Sequence, residues 1–125
     1  MRISRSGECG NSPKNELVED IAILLAERNV AGQEDLLTDD FKGVEAGDPM
    51  SRGRDAFLRH LSGKPAAEAI TVFHVSSHGR VGAVNGEMVA RTGLVAFCHV
   101  VEFGNLDANT VKTITSYLVP VDDRF

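Results

Sequence analysis

Leu94-Val95-Ala96-Phe97-Cys98-His99-Val100-Val101-Glu102-Phe103-Gly104 is the stretch whose reading decides the fold. Successive side chains of a strand point to opposite faces, so Val95, Phe97, His99, Val101 and Phe103 share one face and Ala96, Cys98 and Val100 the other. Both rows are apolar, and a sheet with two apolar faces needs two covers. On either side of this stretch the same chemistry repeats. Ile70 to His78, Val81 to Arg91 and Thr110 to Val121 are rich in Val, Thr, Ile and Phe and read as further long strands. Gly79-Arg80, Thr92-Gly93 and residues 105–109 separate them. Asn85-Gly86 is a hairpin signal, but a turn there leaves only a stub before Thr92-Gly93. Four long strands in a meander are expected instead, with Gly82 and Gly86 inside a strand as marks of a bulge or sharp bend.

Upstream the period is helical. Ser12 is a plausible N-cap, Pro13 suits the first helical position and Glu16 follows. Leu17, Ile21, Leu24, Leu25 and Arg28 recur at helical spacing, which predicts an amphipathic helix to about Asn29. A short apolar helical turn at Glu34 to Leu37 comes next, then a break at Thr38-Asp39-Asp40 and a short strand from Phe41 to Glu45. After the Gly47-Asp48-Pro49 turn, a helix from about Arg54 to Leu61 buries Phe57, Leu58 and Leu61. Helices first and strands afterward predict an α+β arrangement, with the helices on one face of an antiparallel sheet.

The chain has 125 residues, the size of one domain, with 13 Lys and Arg against 18 Asp and Glu for a net charge of -5. That balance supplies no basic stripe for nucleic acid and no attraction to an anionic membrane. No apolar run reaches the roughly 18 residues of a spanning helix. Cys9 and Cys98 make no disulfide framework, and two free thiols fit a cytoplasmic protein. The first residues lack the apolar core of a signal peptide. Residues 1–13 are expected to form a flexible tail with no specific role, and residues 14–125 a single domain.

The first helix ending in Leu36-Leu37-Thr38-Asp39-Asp40-Phe41, the Arg52-Gly53-Arg54-Asp55-Ala56-Phe57 segment and the closing strands Phe97 to Phe103 and Thr113 to Tyr117 resemble the NTF2-like superfamily. That group includes ketosteroid isomerase, SnoaL-type polyketide cyclases and scytalone dehydratase. Ser77 to Gly86 is similar to a segment of small bacterial members. The resemblance implies a cone: a curved antiparallel sheet wrapped around a long N-terminal helix plus two shorter helices, with a ligand pocket in its mouth. Ile21, Phe57, Val95, Phe97, Val101, Phe103, Ile114, Ser116 and Leu118 would line that pocket. Ketosteroid isomerases use a carboxylate base, a protonated Asp and a Tyr. By resemblance Glu45 falls at the base, His99 at the protonated Asp and Ile21 at the Tyr, so one oxyanion donor is missing.

His99 sits in the middle of an apolar face, where desolvation favours the neutral imidazole. It could serve as general base or donate to a developing oxyanion, or it could be a core histidine satisfied by a neighbour. His74 could join it in a dehydratase-like pair. His74 and His78, four positions apart on a strand, are about 13 Å from each other, too far to chelate one metal, so no metal and no cofactor is expected. His78 and His60 are expected in solvent, and Asp39 and Asp40 are read as loop carboxylates. The acidic and basic set of limonene-type epoxide hydrolases is absent, and so are a nucleophile elbow and a phosphate-cradling glycine loop. The expected function is binding of a small apolar organic ligand, with isomerase, cyclase or dehydratase chemistry by His99 with Glu45 or His74. Alternatives are a non-catalytic small-molecule-binding module or an interaction module. The second apolar row predicts a homodimer through the convex sheet face, where Thr113, Thr115 and Tyr117 join Ala96, Cys98 and Val100.

Overall fold

A computed structural model describes residues 1–105 and 109–121. Helix α1 spans Pro13–Glu27, and Ser12 caps it by accepting the Asn15 N–H on its hydroxyl at 3.1 Å. Val18, Ile21, Ala22, Ile23, Leu25 and Ala26 of α1 are all buried. Burial on that many sides means the helix is wrapped, not merely leaned upon. Helix α2 spans Arg54–Ser62 and buries Leu58 and Leu61.

Among the described residues seven strands form one sheet: β1 (Arg2–Ser4), β2 (Leu37–Glu45), β3 (Arg52–Gly53), β4 (Ala69–His78), β5 (Val81–Ala90), β6 (Gly93–Phe103) and β7 (Val111–Pro120). Their order across the sheet is β1-β4-β5-β6-β7-β2-β3. The meander of four long strands is as expected, and no turn occurs at Asn85-Gly86. Phe97, His99, Val101 and Phe103 are buried on the inner face, and Tyr117 is exposed on the outer one. Residues 106–108, within the separator expected between the last two strands, and residues 122–125 of the expected domain lie outside the described residues.

Four expectations need correction. The sheet is mixed, because β2 runs parallel to β7 and β1 parallel to β4 at the two margins of the antiparallel meander. Glu34 to Leu37 is not a helix: Gln33 and Glu34 donate to the Val30 carbonyl, and Leu36 and Leu37 to that of Gln33, giving two successive tight turns. Two helices, not three, occur among the described residues. Strand β2 begins at Leu37 rather than Phe41.

A fifth correction concerns the tail. Residues 1–13 are tied down at several points. Strand β1 satisfies part of the open hydrogen-bonding margin of β4, the kind of edge that invites pairing, and Arg2 N–H reaches the Glu68 carbonyl at 3.0 Å. Glu19 on α1 is buried and needs donors. Ser6 N–H gives one at 2.7 Å, the Cys9 thiol another at 2.9 Å and the Arg5 guanidinium a third at 3.4 Å. Burial pulls the Glu19 pKa upward, but these donors outweigh it and hold the carboxyl below its ordinary value. Burial, and then the contact with Glu19, pushes the Cys9 thiol up to about 11, so it is a protonated donor at neutral pH.

Curvature comes from two glycines and a bulge. Val72 pairs with Gly86 and His74 with Asn85, so Phe73 is an extra residue on β4. Such a bulge bends a strand and increases its twist. At Gly86 a Cβ would collide with the Thr71 carbonyl oxygen, and at Gly82 it would lie 2.5 Å from Val18 Cγ2 on α1. Among the described residues no helix is long and apolar enough to cross a membrane.

Gly86→Ala is expected to destabilise the protein by about 2 kcal/mol or more, because a backbone carbonyl cannot turn aside. Gly82→Ala should cost less, since the Val18 side chain can shift. Urea denaturation of the two variants checks the order.

Candidate functional site

The inner face is filled where the core residues Val18 and Ile21 of α1 meet it, and a cavity opens at the helix's C-terminal end. This cavity, of about 620 Å³ counted out to its open mouth, is lined by Leu25, Ala26 and Arg28 of the helix and its cap. Strands β2 and β3 contribute Gly43, Val44, Glu45 and Arg52, and α2 with its following loop contributes Phe57, His60, Leu61 and Lys64. Met88, His99, Ser116 and Leu118 complete the wall from the meander. Gly43 makes room for α2, because a Cβ there would strike the Phe57 ring.

Strand register brings three polar side chains into one row. Glu45 of β2 lies opposite Ser116 of β7, and Ser116 lies opposite His99 of β6. Adjacent strands are ~4.8 Å apart, so the backbones of Glu45 and His99 are roughly 10 Å apart with Ser116 between them. His99 Nδ1 meets Ser116 Oγ at 2.7 Å. Its ring stacks on Phe97, centroids 5.1 Å apart and planes at 25°. Burial, then the nearby charge of Arg28, lowers the His99 pKa to about 4, so the imidazole is neutral at pH 7. Nε2 has no hydrogen-bond partner among the described residues.

His74 does not reach this site. The extra residue at Phe73 reverses the alternation, so Val75 turns inward and His74 turns out. His74 is 73% exposed and meets Glu8 at 2.9 Å, a contact that holds the Glu8 carboxyl below its ordinary range. Ile21, Phe97, Val101, Phe103 and Ile114 are core residues and not cavity wall, because α1 fills the inner face at their level. Val95 is half-buried and also absent from the wall. The Phe97 ring lies over Gly86, whose added Cβ would be 3.0 Å from Phe97 Cζ. Of the expected lining set, Phe57, Ser116 and Leu118 remain, with the candidates His99 and Glu45.

Two wall residues departed from the sequence reading. His60, expected in solvent, is half-buried, and its pKa is lowered by burial and then by Arg52 and Lys64. It stands three residues after Phe57, on the same helical face; that spacing was the available signal. Arg28 was visible as a charge closing an apolar stripe. It caps α1 in the left-handed conformation, φ 58° and ψ 36°, the one non-glycine residue with positive φ among those described. That backbone costs about 1 kcal/mol for a residue with a Cβ, and glycine is the usual occupant. Among the described residues no three His, Cys, Asp or Glu side chains converge to hold a metal ion.

On the outer face a shallow groove is bordered by His74, Asn85, Ala96, Cys98, Tyr117 and Val119. The Asn85 carbonyl oxygen is buried there without a partner among the described residues.

No protein-family model matches the sequence, and no curated protein matches it. Solved structures do. An NTF2-like protein of unknown function from Burkholderia xenovorans superposes with a TM-score of 0.73 at 15% identity, covering 90% of this chain and 88% of that one. A provisionally assigned ketosteroid isomerase from Kribbella flavida gives 0.71 at 18% identity, over 90% and 82% of the two chains. A provisionally assigned SnoaL-like polyketide cyclase from Shewanella putrefaciens gives 0.72 at 10% identity, over 89% and 83%. The fold is NTF2-like, and at these identities the likeness speaks for the fold alone.

The depressed His99 pKa has a sign that can be worked out. Between pH 6.5 and about 4 the unfolded chain binds a proton at this residue and the native chain does not, so stability falls as pH falls through that window. The loss should be of the order of 3 kcal/mol at most. His99→Phe is expected to flatten the stability curve across that window relative to wild type, as measured by urea denaturation at stepped pH.

Proposed function

Starting from an NTF2-like fold, we propose that the protein binds a small, largely apolar organic molecule in the mouth of the cone and moves a proton on it, in the manner of an isomerase, cyclase or dehydratase. The observation that carries this reading is the Glu45–Ser116–His99 row in a cavity wall that also holds the apolar side chains of Leu25, Phe57, Met88 and Leu118. A pKa of about 4 makes His99 a poor base at neutral pH and a good neutral donor. If the Ser116 hydroxyl donates to Nδ1, the ring proton sits on Nε2 and faces the ligand. Glu45 is then the base. Its carboxylate takes a proton from the carbon next to a ligand carbonyl, and the C–H electron pair moves into a new C=C bond. Charge gathers on the carbonyl oxygen, where His99 Nε2–H meets it. Return of the proton from Glu45 to another carbon completes an isomerisation.

One observation favours a second reading, binding without chemistry. No hydrogen bond links Glu45 to His99, and His99 is already satisfied at Nδ1. Deuterium uptake at the α-carbon of 2-tetralone, followed by NMR in heavy water, separates the two. The catalytic reading expects uptake above the buffer rate, reduced roughly 100-fold or more by Glu45→Gln and by a similar factor by His99→Phe. Binding of the ketone with no accelerated uptake leaves the carrier reading.

The outer face supports a second copy of this chain as partner: Phe73, Tyr117 and Val119 are exposed there beside the unpartnered Asn85 oxygen. A stable pair should bury at least about 1,000 Å² in total. Sedimentation at micromolar concentration should return a dimer, and Tyr117→Asp a monomer; a wild-type monomer sinks the idea.

A further inference from the structure

We infer that the ligand of this cavity is an organic acid, an apolar body carrying one anionic group, held at the mouth by the guanidinium of Arg28. This rests on the pocket reading above and adds the chemical class of what fills it.

The cavity wall holds three permanent cations, Arg28, Arg52 and Lys64, against one carboxylate, Glu45. That is a local reversal in a chain whose net charge is -5. Arg52 is matched by Asp48 at 3.4 Å. Arg28 and Lys64 have no carboxylate within ion-pair distance among the described residues. An exposed lysine without a partner is ordinary. A half-buried guanidinium is not: burial lowers the Arg28 pKa, Glu45 opposes that only through its charge and without an ion-pair contact, and five donors that lose water there need acceptors.

The position of Arg28 points the same way. A cation near a helix C-terminus is favourable in itself, but α1 has no basic residue in its last turn, where one could sit without strain. The cation stands one step later, in a backbone conformation that favours glycine. Backbone strain of this kind persists where the surroundings make use of it. Its charge also helps keep His99 neutral. Elsewhere in the same wall Leu25, Phe57, Met88 and Leu118 offer only apolar contact. An acid group on Arg28 places the body of the molecule against those four side chains and its far end toward His99 and Ser116.

Two fluorescent probes share one aromatic body and differ in charge: 8-anilinonaphthalene-1-sulfonate is a monoanion, and N-phenyl-1-naphthylamine is neutral. Titrated into the full chain, the sulfonate is expected to bind at least about tenfold more tightly than the amine, a difference of 1.4 kcal/mol. Arg28→Gly, which suits the left-handed backbone, should keep or raise Tm and erase that preference while leaving the amine's affinity unchanged. Arg28→Lys should restore much of it. Equal affinities for the two probes, or a preference that survives Arg28→Gly, overturns the inference and leaves the apolar pocket standing. If neither probe binds, the pocket reading itself fails and this inference goes with it.

Discussion

The extra residue at Phe73, set against Gly86, is the constraint on which the rest of the molecule depends. A flat sheet would meet a single helix along a line, and most of the apolar surface of α1 would stay wet. Bending β4 and β5 at this point lets the sheet close around α1. Gly82 then lets Val18 approach closer than any side chain would allow. The same bulge sets the parity of everything beyond it. Val75 enters the core, and His74 is delivered to the outside, where it meets Glu8 of the N-terminal arm. One inserted residue thus shapes the cone, excludes a histidine from its cavity and gives the arm a point of attachment.

Charge in the cavity is organised by depth. At the mouth, Arg52, Lys64 and Arg28 add to the burial that lowers the His60 pKa, and Arg28 adds to the burial that lowers that of His99. Deeper in, His99 is neutral, stacked on Phe97 and bonded to Ser116. A neutral imidazole has one donor and one acceptor, and Ser116 occupies only one of them. The other has no partner among the described residues.

How much of this was legible in the sequence depends on whether the governing interaction is local. The alternation of Val95 to Phe103 is imposed by backbone geometry, so the buried row including His99 could be read directly. Ser12-Pro13 is a local helix start, and α1 begins there. The glycines of β5 were readable as signs of a bulge, but not the strand that would carry it. With Phe73 unassigned, His74 fell on the wrong face. The N-terminal arm escaped for a different reason. Its partners, Glu68 and Ala69 for the strand and Glu19 for the donors, are distant in sequence, and a Ser- and Gly-rich opening carries no periodicity of its own. The cavity wall was overdrawn because a shared inner face does not say how far along it the helix lies. Ile21 and Leu25 are one turn apart, yet the first is core and the second is wall.

The way the two margins of the sheet are finished limits how these molecules can associate. On one side the long strand β4 is covered by the three residues of β1; on the other, β2 is followed by only the two residues of β3. Each cover is partial: β1 meets only Ala69 to Thr71 of β4, and β3 only Lys42 and Gly43 of β2. N–H and C=O groups beyond those pairs are where a neighbouring chain would continue the ladder. Beside β1 one of them is already taken, because the Val75 N–H donates to the Glu8 carboxylate at 3.3 Å. In a protein built on ten-residue strands rich in valine, isoleucine and phenylalanine, the N-terminal arm thus blunts one margin twice, once with backbone and once with a side chain.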